Sequence, residues 1–202
     1  MGSAAANVIA QEMGKTLAVS PFLSTAVIAA TALRQVSDDR AQGALAKIAS
    51  SEVTYGLAVD EGIKFDPDAT RMEARSDGNG FRLSGKKQFV VDGGLADRLL
   101  VLARTSDGLT LFDIPSDRAG ISRAASNMID ARDAARITFD DVEVTGEDVL
   151  GAVGNAMVVL RPALNAGQAA LAAELTGLSA GAFGMTVGYL KERKQFGVEI
   201  GR

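Results

Sequence analysis

The sequence predicts an α+β fold: a helical N-terminal segment, an antiparallel β-barrel or sandwich in the middle, and a long C-terminal helix. Three observations predict it. Apolar residues recur at helical spacing up to about residue 52, alternation replaces that period from Val53, and one continuous helical stripe returns after Asn155. Helices and strands are therefore segregated along the chain, which argues against interleaved βαβ units. The boundaries that follow are 1–52 for an N-terminal helical segment, 53–151 for the β domain and 152–202 for a C-terminal segment that opens on the long helix.

In the first segment, Val8 to Lys15 reads as a short helix stopped near Gly14. Ser20-Pro21 reads as a start signal, a capping residue followed by proline at the first helical position. Phe22 to Val36 is apolar on most sides through Val27, Ile28, Ala29, Ala30 and Leu33, so burial is expected. Asp38 or Asp39 then caps a helix carrying Ala44, Leu45, Ile48 and Ala49.

In the β segment, Thr54 to Val59 suits a strand. Met72–Arg75 and Phe81–Leu83 flank Asp77-Gly78-Asn79-Gly80, a hairpin signal, and Gln88–Val91 follows, closed by Gly93-Gly94. Leu99–Ala103 and Leu109–Ile114 pair around Ser106-Asp107-Gly108. Between Ala135 and Val144 the apolar phase slips across Asp140-Asp141, predicting a bulge or a change of sheet. Lys86-Lys87 reads as a solvated strand edge, and Asp66-Pro67-Asp68 as turn chemistry.

The long helix carries a large-residue stripe at Leu160, Leu164, Leu171, Leu175, Leu178, Met185 and Tyr189. Beside it lies a small-residue stripe: Gly167, Ala170, Gly177, Gly181, Gly184 and Gly188. Glycine weakens a helix by roughly 1 kcal/mol relative to alanine, so this spacing predicts close approach by another helix. If later helices are absent, the stripes predict a dimer or larger assembly through Leu171, Leu178, Gly181 and Met185.

Composition removes several chemistries. The 202 residues include no cysteine and no histidine, so thiolate nucleophiles, Ser-His triads, imidazole bases and the usual zinc ligand sets are excluded. With 25 acidic and 21 basic residues, the net charge of −4 gives no reason to expect nucleic acid. No apolar run approaches a membrane span and the start has no signal pattern, which predicts a cytoplasmic protein without membrane insertion.

Four stretches carry a family resemblance. Tyr189–Gly197 (YLKERKQFG) resembles the "Y-x-x-x-R-x-x-F-G" ending of a long helix in acyl-CoA dehydrogenases. Ser84–Asp97 resembles that family's "N-G-x-K-x-W-I-T-N-G-x-x-A-D" block. Asp130-Ala131-Arg132 with Ile137–Val144 and Leu150-Gly151 is similar to its "G-x-R…F-D-x-V-x-V-P…L-G" block, and Ser20-Pro21-Phe22-Leu23 opens a helix as in many bacterial members. The resemblance implies a chain truncated at both ends. It also implies FAD as cofactor and an acyl-CoA substrate oxidised to the 2-enoyl-CoA. The implied partners are a homo- or hetero-oligomer of such subunits and an electron-transfer flavoprotein or similar acceptor.

Residue by residue, the resemblance places Val59, Phe89 and Val91 against the flavin of the same chain, and Arg193, Gln195 and Phe196 against the neighbour's FAD. The family's hydroxyl donors are replaced here by Val59, Phe65 and Val91, and its ring-stacking tryptophan by Phe89. Each lost bond to a buried polar edge costs roughly 1–3 kcal/mol if nothing replaces it. The family's catalytic glutamate lies in a segment this chain does not reach, and the alternative position on the long helix is Gly167. Glu174, the one acid in that helix's apolar region, reads as a solvated or interhelical hydrogen-bonding residue. No catalytic residue is assigned, which leaves two readings: a dehydrogenase polypeptide, or a non-catalytic subunit completing the FAD site of an active homologue.

Overall fold

The computed structural model describes residues 2–78 and 80–201. Asn79, in the predicted Asp77–Gly80 turn, lies outside them, as do Met1 and Arg202. The chain divides into two compact units, Ser20–Gly167 and the paired segments Met1–Val19 and Gln168–Arg202.

The larger unit opens with α2 (Phe22–Leu33). Its first eight residues, Phe22–Ala29, are wound as a π-helix before Ala30–Leu33 tightens to α. Here the predicted cap fails: Pro21 itself holds the N-cap position, and no side-chain cap bond forms. The wide turn points Ser24 and Thr25 inward, and Thr25 Oγ1 accepts the Tyr55 amide at 2.9 Å. Such widened turns recur at functional sites. Asp38 does cap α3 (Asp39–Ala49), its carboxylate accepting the Ala41 amide at 2.6 Å.

Among the described residues, seven strands form one sheet: β1 (Tyr55–Ala58), β2 (Glu73–Asp77), β3 (Gly80–Val91), β4 (Arg98–Thr105), β5 (Gly108–Pro115), β6 (Ile121–Ala125) and β7 (Ala134–Thr145). Its order is β1-β4-β2-β3-β7-β6, with β5 on β4. Most pairs are antiparallel as expected, but β1 runs parallel to β4, pairing Tyr55 with Arg98 and Ala58 with Val101. The bulge predicted at Asp140-Asp141 is present: Leu83 pairs with Val142 and Gly85 with Phe139, leaving two β7 residues against one, with Asp141 at φ +50°. Strand β6 was not read from the sequence. It is an edge strand on β7 with only Ile121 half-buried, so it carries almost no alternation.

Strand β4 explains the double core. Leu99, Val101 and Ala103 face a cluster with Leu83, Val90, Phe112, Ile137 and Phe139. Leu100 and Leu102 face the other cluster, which includes Ala29, Leu33, Tyr55, Leu111, Leu160 and Ala163. Helices therefore cover one side of the sheet while its own curl fills the other. A strand buried on both faces reads as a continuous apolar run, as Leu99–Ala103 does.

Helix α4 (Ala156–Glu192) begins in this unit and continues into the other. By length and composition it could cross a membrane, with mean hydropathy 1.2 over 18 residues, although no unbroken apolar run in it approaches that length. Its alanines supply much of that value, and a helix at the centre of a bundle passes the same test.

In the smaller unit, α1 (Ser3–Thr16) crosses the later part of α4 at the small-residue stripe. A Cβ on Gly14 would meet the Glu174 carbonyl, one on Gly177 the Gln11 carbonyl, and one on Gly181 the Lys15 carbonyl at 3.0 Å. Backbone thus rests on backbone, as the stripe predicted. Gly184 and Gly188 have nothing within 4 Å of such a Cβ. Beyond α4 a short hairpin pairs β8 (Lys194–Gln195) with β9 (Val198–Glu199).

Candidate functional site

The site grows from the end of β3. Between Lys87 and Val90 the β3–β7 register shifts, leaving Gln88 and Phe89 opposite Arg136 alone. Phe89 takes φ +54° and Asp92 φ +57°. Bulky residues avoid that region, and strain of this kind persists only where the surroundings enforce it. Its effect is to turn the Phe89 ring out of the sheet, where it stays 47% exposed, while Val90 remains buried.

Buried polar anchors hold both ends of this segment. At one end Ser24, from the π-turn of α2, donates to the Asp92 carboxylate. Burial pushes the Asp92 carboxyl above its usual range; Ser24 pulls it back, and nearby Asp133 reinforces the rise. The Asp92 amide donates to the Asp133 carbonyl at 2.9 Å, and the Asp133 carboxylate accepts the Gly94 amide at 2.8 Å.

At the other end stands Lys87, whose side chain is fully buried. Its ammonium donates to the Val59 carbonyl at 3.0 Å and to Glu61 Oε1 at 2.7 Å. Glu61 also accepts the Arg71 and Met72 amides at 2.8 and 3.0 Å. Burial would raise the Glu61 carboxyl, but Lys87 and the two amides outweigh it and hold it below its usual range. Burial lowers Lys87, with Glu61 opposing. This overturns the reading of Lys87 as solvated. Counting by twos from buried Leu83 places Lys87 on the inward face, a signal that lay in the sequence.

Of the predicted residues, the structure brings Val59, Phe89 and Val91 into one unit. Val59 is buried, Val91 half-buried, and Phe65 exposed on the following loop. Arg193, Gln195 and Phe196 fall in the other unit and are all exposed. Gln195 belongs to the terminal hairpin, and Phe196 and Gly197 form its two-residue turn with φ +52° and +83°. That hairpin escaped the sequence reading because phenylalanine is a poor residue for a turn that needs two positive φ angles. Gly167 packs on Ile28, which would sit 2.8 Å from an added Cβ. Among the described residues no group of three His, Cys, Asp or Glu could hold a metal.

Chemically, the β3 end offers an aromatic face with apolar flanks, backed by charged anchors that are themselves occupied. It offers an exposed aromatic face for a flat ring, and the nearby Asp92 and Glu61 carboxylates are engaged by Ser24 and by Lys87.

No family model matches the chain. A curated relative, 2-methylacyl-CoA dehydrogenase of Solanum tuberosum, is 30% identical over 195 residues, 92% of this chain and 47% of that protein. Among solved structures, a variant of the Tcur3481–Tcur3483 steroid ACAD is 32% identical with TM-score 0.86, matching 99% of this chain and 53% of that one. The ChsE4–ChsE5 complex of Mycobacterium tuberculosis, at 24% identity and TM-score 0.85, shares the fold over 99% of this chain and 53% of its counterpart. The chain spans less than half the length of the first curated relatives it matches, between 38% and 47%. These matches run over nearly the whole of this sequence, and the chain belongs to the acyl-CoA dehydrogenase family.

Proposed function

We propose that this chain is a stretch of a cytoplasmic, FAD-dependent acyl-CoA dehydrogenase that converts an acyl-CoA to the 2-enoyl-CoA. The proposal includes segments 1–52, 53–151 and 152–202 as its three domain portions, assembly with further dehydrogenase subunits, and an electron-transfer flavoprotein or similar acceptor. When bound, FAD accepts the hydride leaving the substrate. The observation that carries the reading is the strained Phe89, an exposed aromatic ring on a segment anchored at both ends by Lys87 and by Ser24 with Asp92. Phe89 would stack on the flavin ring, with Val59 and Val91 as its flanks and backbone amides serving its polar edge in place of hydroxyls. Arg193, Gln195 and Phe196 are exposed and available to a neighbouring subunit's FAD, a guanidinium suiting a pyrophosphate through paired charge-assisted bonds.

A second reading draws support from one feature of this chain. Val59, Phe65, Val91 and Gly167 stand where hydroxyls or a base would serve its own site, whereas Arg193, Gln195 and Phe196 match what it would lend. In that case it is a non-catalytic subunit completing the FAD site of an active homologue. The two-component names of the steroid ACAD and of the mycobacterial complex agree with such pairing.

Colour separates the readings. Purified alone, a self-sufficient chain carries flavin absorbance near equimolar with protein. A colourless chain that gains flavin only on co-expression with a homologue supports the subunit reading. A protein colourless in every pairing defeats both.

A further inference from the structure

Lys87 is the most deeply buried charge near the candidate site, and stability alone is a poor reason to keep it. Replacing a buried ion pair by well-packed apolar groups is often neutral or stabilising. Its bonds, however, join segments far apart in sequence. The ammonium holds the Val59 carbonyl at the exit of β1, and through Glu61 it holds the Arg71 and Met72 amides leading into β2. Next to it, the Gln88 amide donates to the Asp60 carbonyl at 2.8 Å. The following residue is Phe89, at the start of the left-handed turn. Together with that backbone bond, the Lys87 side chain sets how high the Val59–Glu61 crossing rides over β3, immediately before the strand presents its aromatic ring.

We propose that Lys87 is a positioning residue, which sets the spacing between Val59 and Phe89 so that together they form one wall of the flavin slot. This rests on the FAD reading above. Lys87 does not touch the ring; its amine is already occupied by Val59 and Glu61, and it acts through them. Asp60 completes its charged surroundings, half-buried, its carboxyl raised by burial and lowered by Lys87.

The test uses whichever form carries flavin, the chain alone or its complex with a homologue. Lys87→Met removes the ammonium, and Lys87→Met with Glu61→Gln removes the hydrogen-bonded pair as a unit, sparing the protein an unpaired Glu61. Flavin affinity is read by fluorescence quenching, and ring environment by the visible circular dichroism of the bound flavin. Both variants are expected to weaken flavin binding by about 10-fold, equivalent to about 1.4 kcal/mol, and to change the dichroism, while the double variant melts close to the parent. Unchanged affinity and dichroism in either variant overturn the inference. A double variant that cannot fold also overturns it, since the pair is then structural. A parent free of flavin in every pairing defeats the FAD reading first, and this with it.

Discussion

The two halves of α4 share one periodicity and differ in what covers it. In the larger unit Leu160 and Ala163 are fully buried and Gly167 rests on Ile28. In the smaller unit the same stripe continues as Leu171, Leu175, Leu178 and Met185, all exposed, with Met185 at 79%. Only the glycine side there is covered, by α1. A helical stripe thus identifies which side of a rod is apolar. Whether a neighbour lies on it depends on chain that can be far away or on another molecule.

The largest test of this contrast pits two phenylalanines against each other. Phe112 is fully buried and meets Phe81 edge-on, with ring centroids 5.6 Å apart, whereas Phe183 on α4 is 71% exposed. Phe112→Ala is expected to cost about 3–5 kcal/mol through lost burial and the cavity left behind. Phe183→Ala is expected to stay within about 0.5 kcal/mol. Denaturant titration of each variant measures both, and equal losses would break the distinction between covered and bare apolar side chains.

Within the smaller unit, the glycines make the next comparison. Gly177→Ala drives a methyl into the Gln11 carbonyl and is expected to destabilise by about 1–3 kcal/mol, as overpacking does. Gly184→Ala meets nothing within 4 Å and should stabilise the helix by up to about 1 kcal/mol. Amide exchange of α1 should accelerate in the first variant and not in the second. The same sign for both would mean that α1 does not dock on this stripe.

A smaller effect follows from the ion pair of Arg118 and Asp148 in the larger unit, bonded twice at 2.7 and 2.9 Å. Burial raises the Asp148 carboxyl, but Arg118 and Thr145 outweigh it and hold it below the usual carboxylate range. The unfolded chain therefore binds the proton more readily. The pair's stabilisation is complete above the ordinary carboxylate range, near pH 4, and fades as pH falls through the lowered folded value. Asp148→Asn should cost about 1 kcal/mol at neutral pH, discounted for partial exposure, and should flatten the acid limb of a stability–pH curve. A parallel curve, merely displaced, would contradict this assignment.

These contrasts also mark what was legible in the sequence. The β4–β5 hairpin, the Asp140-Asp141 bulge and the Asp38 cap were readable because each leaves its signal within a few consecutive residues: a turn, a slip of apolar phase, a capping carboxylate. The π-turn of α2, β6 and the parallel pairing of β1 with β4 were not, because long-range contacts decide them. At the candidate site, Val59, Phe89 and Val91 were proposed through resemblance, and the polar contacts around their segments were not read. Ser24 and Asp92 are 68 residues apart, and Lys87 and Glu61 are 26 apart. Their residue types favour the surface, and only register turns them inward.

The smallest effect on the fold, and the sharpest on assembly, concerns the bare side of α4. Gly181 was expected in an intersubunit contact, but the Lys15 backbone already lies against it, leaving Leu171, Leu175, Leu178 and Met185 as the free apolar face. Exposed side chains contribute little to folding of a single chain, so Leu175→Ser with Met185→Ser should change unfolding free energy by less than about 0.5 kcal/mol. A continuous apolar face on a helix is nevertheless a surface that soluble proteins cover. Light scattering of the parent should therefore give a dimer or larger species, and the double variant should shift toward monomer at equal concentration. A parent that is monomeric throughout would mean this half of the helix stands uncovered between copies, and that its leucines serve another segment or subunit.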